Sequence, residues 1–167
     1  SFTWFFSGEG GREEYTAGVG MVINNNFLKY VEDIEPVNDR LMYATLRGTI
    51  ESNIICTYMP PAERQNHLDK LVEDKDKAYD EIQKVIDKKK NKGPMYICGD
   101  WNARLQKAMN AGERPVMGMH TLDPETQNIA SMTDEVLENR TNMIHFCLEH
   151  NTRAMNTTFR KPKEQIV

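Results

Sequence analysis

Two residues of complementary chemistry stand two apart in the run Gly99-Asp100-Trp101-Asn102. An ionised aspartate only accepts hydrogen bonds, so Asp100 could take a proton from water or ligate a hard cation. Asn102 carries both an amide donor and a carbonyl acceptor, which suits a phosphate oxygen. Residues two apart at the end of a strand share a face. Gly99 before them allows a tight exit or a close approach of backbone. The same residues also read as a plain turn closed by an Asx hydrogen bond, because Asp and Asn are common turn formers. Tyr58 ends an apolar run just before Met59-Pro60-Pro61. Its phenol either reaches a phosphate in a cleft or is a core tyrosine with one satisfied hydroxyl.

The other reactive side chains form no such constellation. His67, His120, His145 and His150 have no acid partner at a telling spacing, and His145 and His150, five apart, do not share a helix face. Cys56, Cys98 and Cys147 sit far apart in apolar contexts without a CxxC pair. They read as buried free thiols in a reducing, intracellular compartment, against a disulfide framework or a zinc site. The glycine loop that starts at Gly8 fails G-x-G-x-x-G because Glu13 takes the third glycine's place, and no P-loop, HExxH, EF-hand or G-x-S-x-G pattern occurs.

Around these residues, strand composition marks 2–6, 18–23, 41–47 and 53–58, with turns at 24–26 and 51–53. The last two strands make a hairpin that Pro60-Pro61 stops. Residues 62–92 form the clearest helix: Leu68, Leu71, Val72, Tyr79, Ile82, Val85 and Ile86 recur at helical spacing. Lys88, Lys89 and Lys90 suit its negative end, and Gly93-Pro94 ends it. The run 95–98 then reads as a buried strand in an α/β layer architecture, with the Asp100 motif at its carboxyl end, where such sheets often build sites. Residues 110–131 read as a long polar loop. A helix over 139–150 stops near Asn151, a short strand covers 154–159, and 160–163 is a basic exit.

The 167 residues fit a single domain, 1–167. Hydrophobic residues at 39% and aromatic residues at 8%, gathered in periodic runs, separate the chain from disordered sequences. Twenty-one basic against 25 acidic residues leave a net charge of −4, which excludes a generally basic nucleic-acid coat but not a local basic groove. No apolar stretch reaches membrane-spanning length, and residues 1–12 lack the features of a secretory signal.

The order of the motifs is informative: Ser7-Gly8, Gly18-Val19-Gly20, Tyr58-Met59-Pro60, a long helix, Gly99-Asp100-Trp101-Asn102-Ala103-Arg104, then Asn156-Thr157-Thr158-Phe159. The series resembles the endonuclease/exonuclease/phosphatase family. It is most like the apurinic-type endonuclease domain of non-LTR retrotransposons, over almost the whole chain. The resemblance implies a four-layer α+β sandwich, two mixed β-sheets packed face to face with helices outside, and Mg²⁺-dependent cleavage of DNA phosphodiesters. By it, Tyr58 contacts a phosphate, Asp100 ligates the metal or handles the attacking water, and Asn102 holds the phosphate. Arg104 and Asn139 are further phosphate contacts. The family's early asparagine and metal-binding glutamate, and its closing Ser-Asp-His motif, have no match here; Glu9, Glu13 and Glu14 do not resemble that glutamate. By the resemblance, then, the domain is incomplete at both ends and the chain is inactive by itself. The alternative is a non-catalytic structural or interaction subunit co-opted from such a domain, whose partners are other protein subunits and not DNA.

Overall fold

The computed structural model describes residues 1–8, 18–61, 68–89, 93–121 and 132–160, with side chains of the first helix from Asp74 onward. The expectations placed on Arg12, Glu13, Glu14 and His67, on both ends of the 62–92 helix, on 122–131 and on 161–163 lie outside the described residues. The chain divides into two compact units, 1–101 and 102–167.

The first unit is an α+β sandwich. Strands β1 (Phe2–Ser7) and β2 (Val19–Asn24) pair antiparallel. Strands β3 (Val31–Asn38), β4 (Leu41–Leu46), β5 (Ser52–Tyr58) and β6 (Met95–Asp100) form a second sheet in that order, antiparallel up to β5 and parallel between β5 and β6. The sheets meet face to face: Met21 of β2 packs with Met42 and Ala44 of β4, and Phe5, Val19, Ile34, Ile54 and Cys56 close around them. Helix α1 (Leu68–Lys89) is the crossover that makes β6 parallel to β5.

The lysines at the end of α1 do more than face the helix dipole. The Lys88 ammonium donates to the Tyr43 hydroxyl at 2.7 Å and to Glu35 at 2.8 Å, and Tyr43 donates to Glu35 in turn. Lys89 is buried, and its ammonium donates to Thr45 Oγ1 at 2.9 Å. These bonds hold the Glu35 carboxyl below its usual range, with Lys88 the main cause, and burial pushes the Tyr43 phenol up.

The structure corrects several expectations. Strand β3, Val-Glu-Asp-Ile-Glu-Pro-Val-Asn, was not foreseen; as an edge strand it tolerates Pro36, and its acids meet the α1 lysines. The 24–26 turn is Asn24 capping a 3-10 turn over Asn25–Tyr30. In β2 only Met21 is buried, and β6, expected buried, is a sheet edge among the described strands with Tyr96 and Cys98 exposed.

In the second unit, helix α2 (Asp134–Glu149) begins five residues before the expected start. It stops where Asn151 takes φ 50°, a conformation Asn tolerates. The strand expected over 154–159 is a 3-10 turn (Met155–Thr157), with one bridge from Ala154 to Met117. Thr157 is better used as a local hydrogen-bonding residue: its hydroxyl donates to the Ala154 carbonyl at 2.7 Å and accepts from the Gly118 amide at 2.8 Å.

Candidate functional site

Parallel pairing of β5 with β6 sets Tyr58 directly opposite Asp100, at the carboxyl end of both strands. In-register neighbours on parallel strands present their side chains to the same face, so Tyr58 and Asp100 project from one side of the sheet. The pairing continues one step further, where the Met59 amide donates to the Asp100 carbonyl at 2.9 Å. Gly99 makes the approach possible. It has φ +148°, and a Cβ there would lie 1.8 Å from the Thr57 carbonyl oxygen. The foreseen need for close backbone approach at Gly99 is thus met against β5.

Arg40, which no sequence feature singled out, joins this end of the sheet. Its carbonyl accepts from the Tyr58 amide at 2.9 Å, and its guanidinium lies 5.1 Å from the centre of the Tyr58 ring. One terminal nitrogen, Nη1, is buried without a hydrogen-bond partner among the described residues. A cation over an aromatic face is favourable, and it gives the Tyr58–Asp100 end a fixed positive charge. The next residue, Trp101, turns to the other side, its ring 6.2 Å from that of Tyr79 on α1.

In the second unit, Asn102 takes φ 47° and Gln106 φ 50°. Left-handed non-glycine residues persist only where their surroundings hold them. Here α2 does the holding. Asn139, buried, donates through Nδ2 to the Asn102 carbonyl at 3.0 Å. Arg140, also buried, donates to the carbonyls of Leu105 at 2.8 Å and Lys107 at 3.1 Å. Glu113 accepts from both terminal nitrogens of Arg140, at 3.0 and 2.6 Å, and from the Met109 amide at 2.8 Å. The Arg140 guanidinium holds the Glu113 carboxyl below its usual range.

The site residues inferred from the sequence therefore fall into two sets: Tyr58 with Asp100 at one sheet end, and Asn102 with Asn139 on one loop-and-helix clamp. Asn139 contacts the main chain of Asn102, and Arg104 is exposed. Arg140 and Glu113 were missed. The signal for Arg140 was present, since it sits four residues from both Val136 and Ile144 on the buried stripe of α2. Among the described residues no three His, Cys, Asp or Glu side chains group closely enough to hold a metal ion, and no helix is long and apolar enough to cross a membrane. A shallow depression lined by Asn110, Glu113, Thr141, Ile144 and His145 contains none of the inferred site residues. No protein-family model matches the sequence, and no curated protein is significantly similar to it.

Proposed function

We propose that the chain carries part of a Mg²⁺-dependent DNA-nicking site of endonuclease/exonuclease/phosphatase type, most like that of the non-LTR retrotransposon endonucleases. The observation that supports this reading is the parallel register placing Tyr58 beside Asp100 at the carboxyl end of the sheet. A phenol can donate to a phosphate oxygen while a neighbouring carboxylate accepts a proton from water. Arg40 beside Tyr58 offsets phosphate charge. In the second unit Asn102, held in its left-handed conformation by Asn139, carries an amide of the kind that binds phosphate.

Mg²⁺ is usually held by one or two carboxylates together with waters and substrate oxygens, and its role is to polarise a phosphoryl oxygen. Asp100 is the residue here that would hold it, one ligand where the family uses two. A missing acid–base group costs about 10²–10⁴-fold in rate. With the second ligand absent as well, the 167 residues alone should nick supercoiled plasmid in Mg²⁺ only at background, with or without Asp100→Ala. In a polypeptide that also supplies the family's glutamate and Ser-Asp-His residues, nicking should appear and fall to background with Asp100→Ala. Nicking indifferent to Asp100 in that polypeptide would overturn the reading. Asp100-dependent nicking by the 167 residues alone would overturn the claim that they are insufficient.

One observation favours the alternative of an interaction subunit. Phe2, Trp4 and Phe6 are 61, 63 and 72% exposed on one face of β1, and Val22 opposite Trp4 is 48% exposed. A sheet that is apolar on both faces is typical of a layer with neighbours on either side, and such a patch is the kind a protein partner covers.

A further inference from the structure

The register that pairs Tyr58 with Asp100 also pairs Cys56 with Cys98, two residues down the same two strands and on the same face. No disulfide joins them: Cys56 is half-buried and Cys98 exposed. Neighbouring strands run about 4.8 Å apart, and in-register Cα atoms at that spacing fall within the ~4.4–6.8 Å range that a disulfide spans. The side chains of such neighbours run parallel, so their Cβ atoms also stand about a strand spacing apart, beyond the ~3.8 Å mean of relaxed disulfides. A bridge here would form with strain, and strained, accessible disulfides are the easily reduced, labile ones.

We propose that Cys56 and Cys98 form a reversible thiol–disulfide site that takes a small-molecule disulfide such as oxidised glutathione as its oxidant. The exposed Cys98 thiolate attacks one glutathione sulfur, forming a mixed disulfide and releasing one glutathione thiolate. Cys56 then loses its proton to solvent and attacks the Cys98 sulfur, releasing the second glutathione. Two protein thiols become one disulfide, and one glutathione disulfide becomes two thiols. The order of attack follows from the environments. Burial, with Cys98 close by, pushes the Cys56 thiol up, and its Sγ lies against the Gly20 carbonyl at 3.8 Å. Cys56 is therefore the resolving partner, and an attacking thiol must be reachable by the oxidant. Cys147, buried and also pushed up by burial, lies in the second unit and is replaced by serine in the test, so that only Cys56 and Cys98 can react.

The site does not depend on the phosphodiester reading. It sits two residue pairs from Tyr58 and Asp100, so closing it would tie β5 to β6 beneath them. The test is to incubate the folded Cys147→Ser variant with oxidised glutathione and measure intact mass and thiol-specific peptides. The expected product is a monomer lighter by two hydrogens, without bound glutathione, in which the Cys56 and Cys98 peptides are linked. Mild dithiol should reverse it. The Cys56→Ser variant should instead retain one glutathione on Cys98. A Cys147→Ser product that keeps a glutathione on Cys98, a disulfide-linked dimer through Cys98, or two thiols that stay free throughout would each overturn the proposal. Circular dichroism of every variant keeps a folding failure from being mistaken for a result.

Discussion

At the scale of single residues, the second unit turns on one buried ion pair. Arg140 and Glu113 have side chains 2 and 12% exposed, and every remaining Arg140 bond goes to a carbonyl of the loop after Asn102 or to the Met117 sulfur. Breaking a buried pair by deleting one partner leaves an uncompensated charge and costs about 3–5 kcal/mol. Arg140→Ala should therefore lower the urea midpoint by that equivalent. Asn139→Ala, which removes the hydrogen bond to the Asn102 carbonyl, should cost about 1–3 kcal/mol. The pair also sets a pH dependence. Because Arg140 depresses the folded-state pKa of Glu113, its stabilisation is present above the ordinary glutamate pKa and is lost as pH falls through the folded value. Thermal melts from pH 7 to pH 3 should show wild type losing stability below about pH 4, and Glu113→Gln losing less over the same range. Glu35 shifts in the same direction through Lys88, so the acid slope should shrink without vanishing. An unchanged slope in Glu113→Gln would mean the pair carries no pH-linked stability.

At the scale of elements, the β5–β6 junction depends on a glycine. A Cβ at Gly99 would sit 1.8 Å from the Thr57 carbonyl oxygen, and φ +148° disfavours any other residue even where space allows. Backbone strain alone costs about 1–3 kcal/mol, and the clash falls on a strand backbone that cannot swing aside. Gly99→Ala should lower the melting temperature and speed amide exchange at 96–100 and at Met59, whose N–H reaches Asp100. Exchange raised evenly over the whole chain would argue against a local effect. Strands 2–6, 41–47 and 53–58, the long helix, and the strand carrying Gly99-Asp100 were legible because apolar periodicity and proline or glycine punctuation agree there. Strand β3 was not, because its acids Asp33 and Glu35 answer Lys88 and Lys89, whose own positions depend on a helix more than fifty residues away. The 154–159 segment misled because β-branched Thr157 and Thr158 serve as local hydrogen-bonding residues there. At the site, Asp100 and Tyr58 were readable from strand ends. Arg40 and the Arg140–Glu113 clamp follow only from register and tertiary contact.

At the scale of the whole molecule, charge and exposed surface pull on association in opposite ways. A net charge of −4 keeps copies apart, while the outer face of β1 draws them together. An aromatic side chain offers about 150–250 Å². With exposures of 61, 63 and 72%, Phe2, Trp4 and Phe6 show roughly 300–500 Å², as large as the largest patch on a typical monomer. Two such patches placed face to face would bury at most roughly 600–1,000 Å², below the ~1,200–2,000 Å² of a stable interface. Self-association through this face should therefore be weak and reversible. Trp4 and Phe6 stack with ring centres 6.1 Å apart, so the patch is a continuous surface. Threonine suits a strand and removes the apolar area without changing the alternation that packs Phe5 inward. The triple variant Phe2→Thr, Trp4→Thr, Phe6→Thr should thus keep its circular dichroism. In sedimentation velocity, wild type should show a weight-average coefficient that rises with concentration, and the variant should not. Salt should sharpen the contrast, since screening removes the repulsion that opposes contact and leaves the apolar attraction in place. A concentration dependence that survives the triple substitution would place the association elsewhere, with β6, the last of the described strands in its sheet, the next surface to block.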